Sequence, residues 1–206
     1  MLLDLDDSQL VLMDYQARLL PAIYEGDKVL ANARRLGQLA RLLEVRAFAT
    51  EQNPAGLGAS DAGVKALCSR TLVKTHFSAC AEGLTEWLRP AVRSGGGHVG
   101  GNARSLPRHL QKPVAPQAPA ANNIVIAGCE AHVCLLQTAL DLLDEEFEVW
   151  IVTDACGSVS ERDRDAAFDR LAGAGAELLT TQMVAFEWLR TSDHPLFQRA
   201  LEIVKS

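Results

Sequence analysis

The feature that most constrains the fold of this 206-residue chain is a repeated alternation of short apolar runs with longer amphipathic stretches. Gln9 to Asp14 is a short apolar run ending in a carboxylate, the pattern of a strand buried on both faces. From Asp27 to Leu43, Val29, Leu30, Ala33, Leu36, Leu39, Ala40 and Leu43 recur at helical spacing while Arg34, Arg35 and Arg41 face the other way, which predicts a helix capped by Asp27. Val45 to Thr50 reads as the next strand, and Glu51 to Arg70 as a loop. Thr71-Leu72-Val73 then forms a brief strand that ends on Lys74. Ser78 to Arg89 reads as a helix with Leu84, Trp87 and Leu88 inward. The rhythm resumes with strands at Ile124 to Ala127, Val149 to Thr153 and Glu177 to Thr180. Helices are predicted from about His132 to Glu145, from Arg162 to Ala172, from Met183 to Leu189 and from Pro195 to Val204. Such alternation implies right-handed crossovers. The expected architecture is a three-layer α/β/α domain over 1–206 with a central, mostly parallel sheet of about six strands.

One stretch breaks the rhythm. Between about 90 and 122 the chain reads SGGGHVGG and then KPVAPQAPAA, a Gly cluster and a Pro cluster with few aliphatic residues between them. This predicts a mobile, solvated insertion, long enough to fold over a site or reach a neighbouring subunit.

Composition narrows the partners. The 20 Lys and Arg against 26 Asp and Glu leave a net charge of −6, so no basic surface is expected for a phosphate backbone and nucleic acid is not an expected partner. No apolar run reaches the roughly 18 residues that span a bilayer, and the first residues carry acids where a secretory signal carries Lys or Arg. A cytoplasmic protein without membrane contact is expected. Five cysteines, an odd number without CxxC spacing, predict reduced thiols instead of a disulfide framework or a zinc site. The five histidines show no ligand spacing.

In open parallel sheets the ligand crevice lies beyond the carboxyl ends of the strands, where Asp14, Lys74 and the turn from Gly128 to Cys134 all fall. A thiol becomes a good nucleophile beside a base, a cation or a helix N-terminus. Cys134, in the first turn of its predicted helix, would have all three, with Lys74 and the helix terminus favouring thiolate and Asp14 relaying the proton. Taken alone, each of these residues has a plainer reading: a buried hydrophobe, a turn cap, a surface charge.

The segments VLMDYQ, VKTHFSAC and GCEAHVC leading into LLQTALDL resemble, in order and spacing, the motifs of the isochorismatase-like hydrolase superfamily. For the cysteine amidases of that superfamily the resemblance implies a catalytic triad of Asp14, Lys74 and Cys134. It also implies a cis peptide joining Cys129 to Glu130, and an oxyanion hole formed by the N–H groups of Glu130 and Cys134. The implied reaction is cleavage of a C–N bond in a small molecule through a thioester. The metal-binding nicotinamidase branch carries Asp-x-His after its second strand, whereas this chain reads Thr50-Glu51-Gln52-Asn53-Pro54, so no catalytic metal and no cofactor are expected. Gln16, Gln52, Asn53 and Phe77 are candidate substrate contacts, and a homo-oligomer, a dimer or larger, is implied by resemblance. Two other readings compete: a non-catalytic binding protein on the same fold, and a thiol redox sensor pairing Cys134 with Cys129.

Overall fold

The computed structural model describes residues 1–89 and 121–206; the insertion expected at about 90–122 lies, apart from Ala121 and Asn122, outside them. The sheet has six strands: β1 (Ser8–Met13), β2 (Arg46–Gln52), β3 (Arg70–Lys74), β4 (Asn123–Gly128), β5 (Glu148–Val152) and β6 (Glu177–Leu179). All neighbours run parallel in the order β3-β2-β1-β4-β5-β6. The winding direction reverses between β1 and β4, which leaves a crevice at their carboxyl ends. Every residue of β1 and β4 is buried, as two-sided coverage demands, whereas the edge strand β3 buries only Leu72 and Lys74.

The helices are α1 (Gly26–Leu42), α2 (Pro54–Leu57), α3 (Ala62–Lys65), α4 (Leu84–Leu88), α5 (Leu136–Asp144), α6 (Glu161–Gly173), α7 (Thr181–Leu189) and α8 (Phe197–Lys205). α1, α7 and α8 contact one another in one layer, and α5 packs with α6 in the other. The apolar stripe read from the sequence is the buried stripe of α1, with Val29, Ala33, Leu36, Leu39 and Ala40 inward. Side-chain caps start α6 and α7: Ser160 accepts from Asp163 N at the head of α6, and Thr180 from Met183 N at the head of α7.

Four local expectations change. The helix expected to be capped by Asp27 starts at Gly26 with Glu25 at its N-cap, so Asp27 lies inside the first turn. The loop read from Glu51 to Arg70 holds two four-residue helices, α2 and α3, and the second is capped by Asp61, which accepts from Val64 N at 3.0 Å. The helix read from Ser78 to Arg89 is broken into a 3-10 turn, Cys80–Glu82, and α4. Between them Gly83 sits at φ 93°, a backbone conformation that ends a helix and suits glycine. Trp87 on α4 packs against the core as expected but is only half-buried; its ring lies tilted 5.9 Å from that of Phe48 and carries the Arg70 guanidinium 3.7 Å above it.

At the switch point β1 and β4 approach so closely that a Cβ on Gly128 would lie 2.5 Å from both Cβ and the carbonyl oxygen of Met13. Backbone cannot yield as a flexible side chain can. Gly128→Ala is therefore expected to lower stability by about 1–3 kcal/mol, read as a lower denaturation midpoint in urea.

Candidate active site

Three strands deliver the three expected groups to one end of the sheet. Asp14 follows β1 with φ 55°, a left-handed conformation that Asp tolerates, and the chain turns immediately, Gln16 N donating to Asp14 O at 2.8 Å. Its neighbour in β2 is set by register: Met13 lies beside Thr50, whose hydroxyl donates to Asp14 Oδ1 at 2.6 Å. Lys74 ends β3, two strand spacings from β1, roughly 10 Å. Its long side chain spans β2 and places Nζ 2.8 Å from Asp14 Oδ2, with both side chains 0% exposed.

The Lys74 ammonium group is held from three sides. It donates to Gln52 Oε1 at 2.7 Å and to the Phe77 carbonyl at 3.0 Å, and it pairs with Asp14 Oδ2 at 2.8 Å. Thr50 thus takes one carboxylate oxygen of Asp14 and Lys74 pairs with the other.

Cys134 arrives from the other side of the switch point. A π-helical turn, Ala131–Leu135, precedes α5, so Cys134 sits in that wider turn and not in the first turn of an α-helix as expected. The residue is 6% exposed, and its Sγ lies 4.0 Å from Gln52 Oε1. Burial and, next, the nearby Asp14 charge push the thiol up to about 12, while Lys74 pulls it down without winning. The sequence-based expectation of a resting thiolate is thus corrected. The free protein holds Cys134 as a neutral thiol, because desolvation outweighs one cation that is itself paired. The cis peptide expected at Cys129 to Glu130 is present. Among the described residues no carbonyl accepts from the Glu130 N–H, while the Glu130 carboxylate accepts from Val159 N at 3.1 Å.

The four candidate substrate contacts separate. Gln16 is fully buried, with its side-chain oxygen accepting from Gln52 N at 2.7 Å and its amide nitrogen donating to Gln52 O at 3.0 Å and Gly58 O. Its amide is consumed in bracing the end of β2. Gln52 stands at the centre, because donation from Nε2 to Thr75 O at 2.7 Å turns Oε1 toward Lys74 and Cys134. Asn53 is exposed, with its backbone N–H bonded to Lys74 O. Phe77 is 52% exposed and enters the site through its carbonyl. His132 is half-buried and pairs with Ser158 Oγ at 2.9 Å. Thr50 and the Phe77 carbonyl were missed, since only strand register and a loop path bring them in. Among the described residues no group of three His, Cys, Asp or Glu is arranged to hold a metal. All five cysteines are free.

A buried Cys, Asp and Lys meeting at the switch point of a doubly wound sheet define the protein class, and comparison with known proteins gives its family. The Isochorismatase domain family matches residues 115–183. The mouse isochorismatase domain-containing protein 2A is 32% identical over 97% of this chain and 84% of its own length. The chain belongs to the isochorismatase domain family. Among solved structures, the MAR1 ribonuclease of Caenorhabditis elegans superposes with TM-score 0.82 at 28% identity, covering 100% of this chain and 93% of that one. The ycaC gene product of Escherichia coli, described as an octameric hydrolase of unknown specificity, gives 0.74 at 26% identity, covering 100% and 96%.

Two expectations follow from this geometry. Replacing one member of the buried ion pair leaves the other charge uncompensated, so Lys74→Met should cost about 3–5 kcal/mol in urea denaturation. For the thiol, a folded pKa raised above the free value means that thiolate is scarce at neutral pH and grows as pH rises toward 12. The iodoacetamide labelling rate of Cys134, taken as wild type minus Cys134→Ala, should climb about tenfold per pH unit from 7 to 9 without a plateau.

Proposed function

We propose that this chain is a cysteine hydrolase that cleaves a C–N, amide-type bond of a small molecule through a thioester. The observation that carries the reading is the meeting of three buried groups at one sheet edge: Lys74 Nζ lies 2.8 Å from Asp14 Oδ2, and both act on the buried Cys134 thiol, which lies 4.0 Å from the Gln52 oxygen that also holds Lys74. Cys134 Sγ attacks the substrate carbonyl carbon as its proton passes to Asp14. The resulting oxyanion accepts from the Glu130 and Cys134 N–H groups. The tetrahedral intermediate collapses by breaking the C–N bond, and Asp14 returns the proton to the departing amine. Water, deprotonated by Asp14, then attacks the thioester, and Cys134 leaves with the proton that Asp14 gives back. Lys74 holds Asp14 in place and offsets negative charge on the thiolate as it forms. This chemistry draws on no metal or cofactor.

In this reading Gln52, 4.0 Å from Cys134 Sγ, contacts the substrate, and the exposed Asn53 and Phe77 supply further contacts. The five free thiols suit a reducing, cytoplasmic setting, and no helix among the described residues is long and apolar enough to cross a membrane. Assembly into a homo-oligomer is part of the reading, supported by the octamer of the Escherichia coli protein and by exposed Val159 and Phe186. The Caenorhabditis elegans protein is named a ribonuclease. With a net charge of −6, C–N hydrolysis of a small molecule is the better fit to this chain than cleavage of a polyanion.

Screening purified protein against a library of small amides should find a turned-over substrate, and Cys134→Ala should reduce that turnover roughly 10⁴-fold or more. Turnover that survives in Cys134→Ala would remove the thiol from the mechanism.

A further inference from the structure

Lys74 and Cys134 arrive on different elements, β3 with its following loop and the turn that opens α5, so something must set their separation. Within the segment LLQTALDL, Thr138 and Asp141 lie three residues apart and so near one side of α5, the helix that follows the turn holding Cys134. Both reach the loop that carries the Lys74 partner. Thr138, fully buried, accepts from Ala79 N at 2.9 Å, and Asp141 Oδ2 accepts from the Ser78 hydroxyl, itself 8% exposed. The next residue back is Phe77, whose carbonyl accepts from Lys74 Nζ at 3.0 Å. The other end of the loop is held independently, by Glu82 Oε1 accepting from Thr75 N and Thr75 Oγ1 and by Gln52 Nε2 donating to Thr75 O.

We propose that Thr138 and Asp141 are positioning residues: through Ala79, Ser78 and the Phe77 carbonyl they hold the Lys74 ammonium against the Cys134 thiol. This deepens the hydrolase reading and rests on it for the role of the thiol, but the geometry it describes exists whether or not a substrate is turned over. Lys74 is the one group named here that lowers the energy of the thiolate, so its distance from sulfur governs how readily the proton leaves. If the loop slackens, the Phe77 carbonyl no longer confines the ammonium group and the thiol becomes still harder to ionise. A merely structural role for these residues would change stability without changing sulfur reactivity.

The test is the rate at which iodoacetamide labels Cys134 at pH 9, corrected with Cys134→Ala, with circular dichroism as a check on folding. Thr138→Val, which removes the acceptor at nearly constant shape, and Asp141→Ala should each slow labelling about tenfold, the effect of one unit in thiol pKa. Thr138→Ser and Asp141→Asn retain an acceptor and should label within about twofold of wild type. Ser78→Ala breaks the Asp141 contact from the loop side, and should reproduce the loss even if Thr138→Val folds poorly. Labelling at the wild-type rate in folded Ser78→Ala and Asp141→Ala would overturn the proposal, as would equal losses in Thr138→Ser and Thr138→Val. Failure of the hydrolase reading looks different: no Cys134-dependent turnover of any amide, while the labelling rates still follow the loop contacts.

Discussion

Two opposite charges, Lys74 and Asp14, lie entirely out of water at the carboxyl end of the sheet, and the site is organised around keeping them there. Removing such charges from solvent costs several kcal/mol per ion unless each remaining donor and acceptor finds a partner. The surroundings meet that demand almost completely. Thr50 satisfies one Asp14 oxygen, and Gln52 and the Phe77 carbonyl take the Lys74 donors that Asp14 leaves. Parallel register makes the arrangement possible, because it places Met13 beside Thr50 and Gln52 beside Lys74. The lysine crosses an intervening strand to reach its partner.

Cys134 enters this field from β4, the strand on the far side of the switch point, and opposing influences meet on its sulfur. Burial and the Asp14 charge favour the thiol, and Lys74 favours the thiolate. The balance leaves a resting thiol, which is poorly reactive toward oxidants and adventitious electrophiles. In the proposed reaction the proton acceptor is the Asp14 carboxylate, already held in place by Thr50 and Lys74. Around this centre lies a supporting shell in which each member fixes the next. Gln16 binds the backbone of Gln52, Gln52 orients itself on Thr75, and Gly128 lets β1 and β4 close together.

Much of the fold was legible because central strands covered on both faces must be continuous apolar runs, and β1 and β4 are. The long helices were legible for the complementary reason: seventeen residues of α1 repeat a 3.6-residue stripe often enough to be recognised. Elements of four or five residues cannot display a period. The two short helices after β2, the break at Gly83 and the π-helical turn that holds Cys134 therefore went unread. Gln16 shows the limit for side chains. Its position two residues after Asp14 suggested the pocket wall, whereas its amide is spent on the backbone of a neighbouring strand.

By itself the sequence determined on which edge of the sheet Asp14, Lys74 and the turn to Cys134 would stand, since strand ends and ordered motifs are local patterns. The tertiary structure alone decided the protonation of Cys134 and the supporting roles of Thr50, Gln52 and the Phe77 carbonyl. Those depend on burial and on distances of a few ångströms between elements far apart in the chain. Such separations follow from register and packing, and no run of neighbouring residues encodes them.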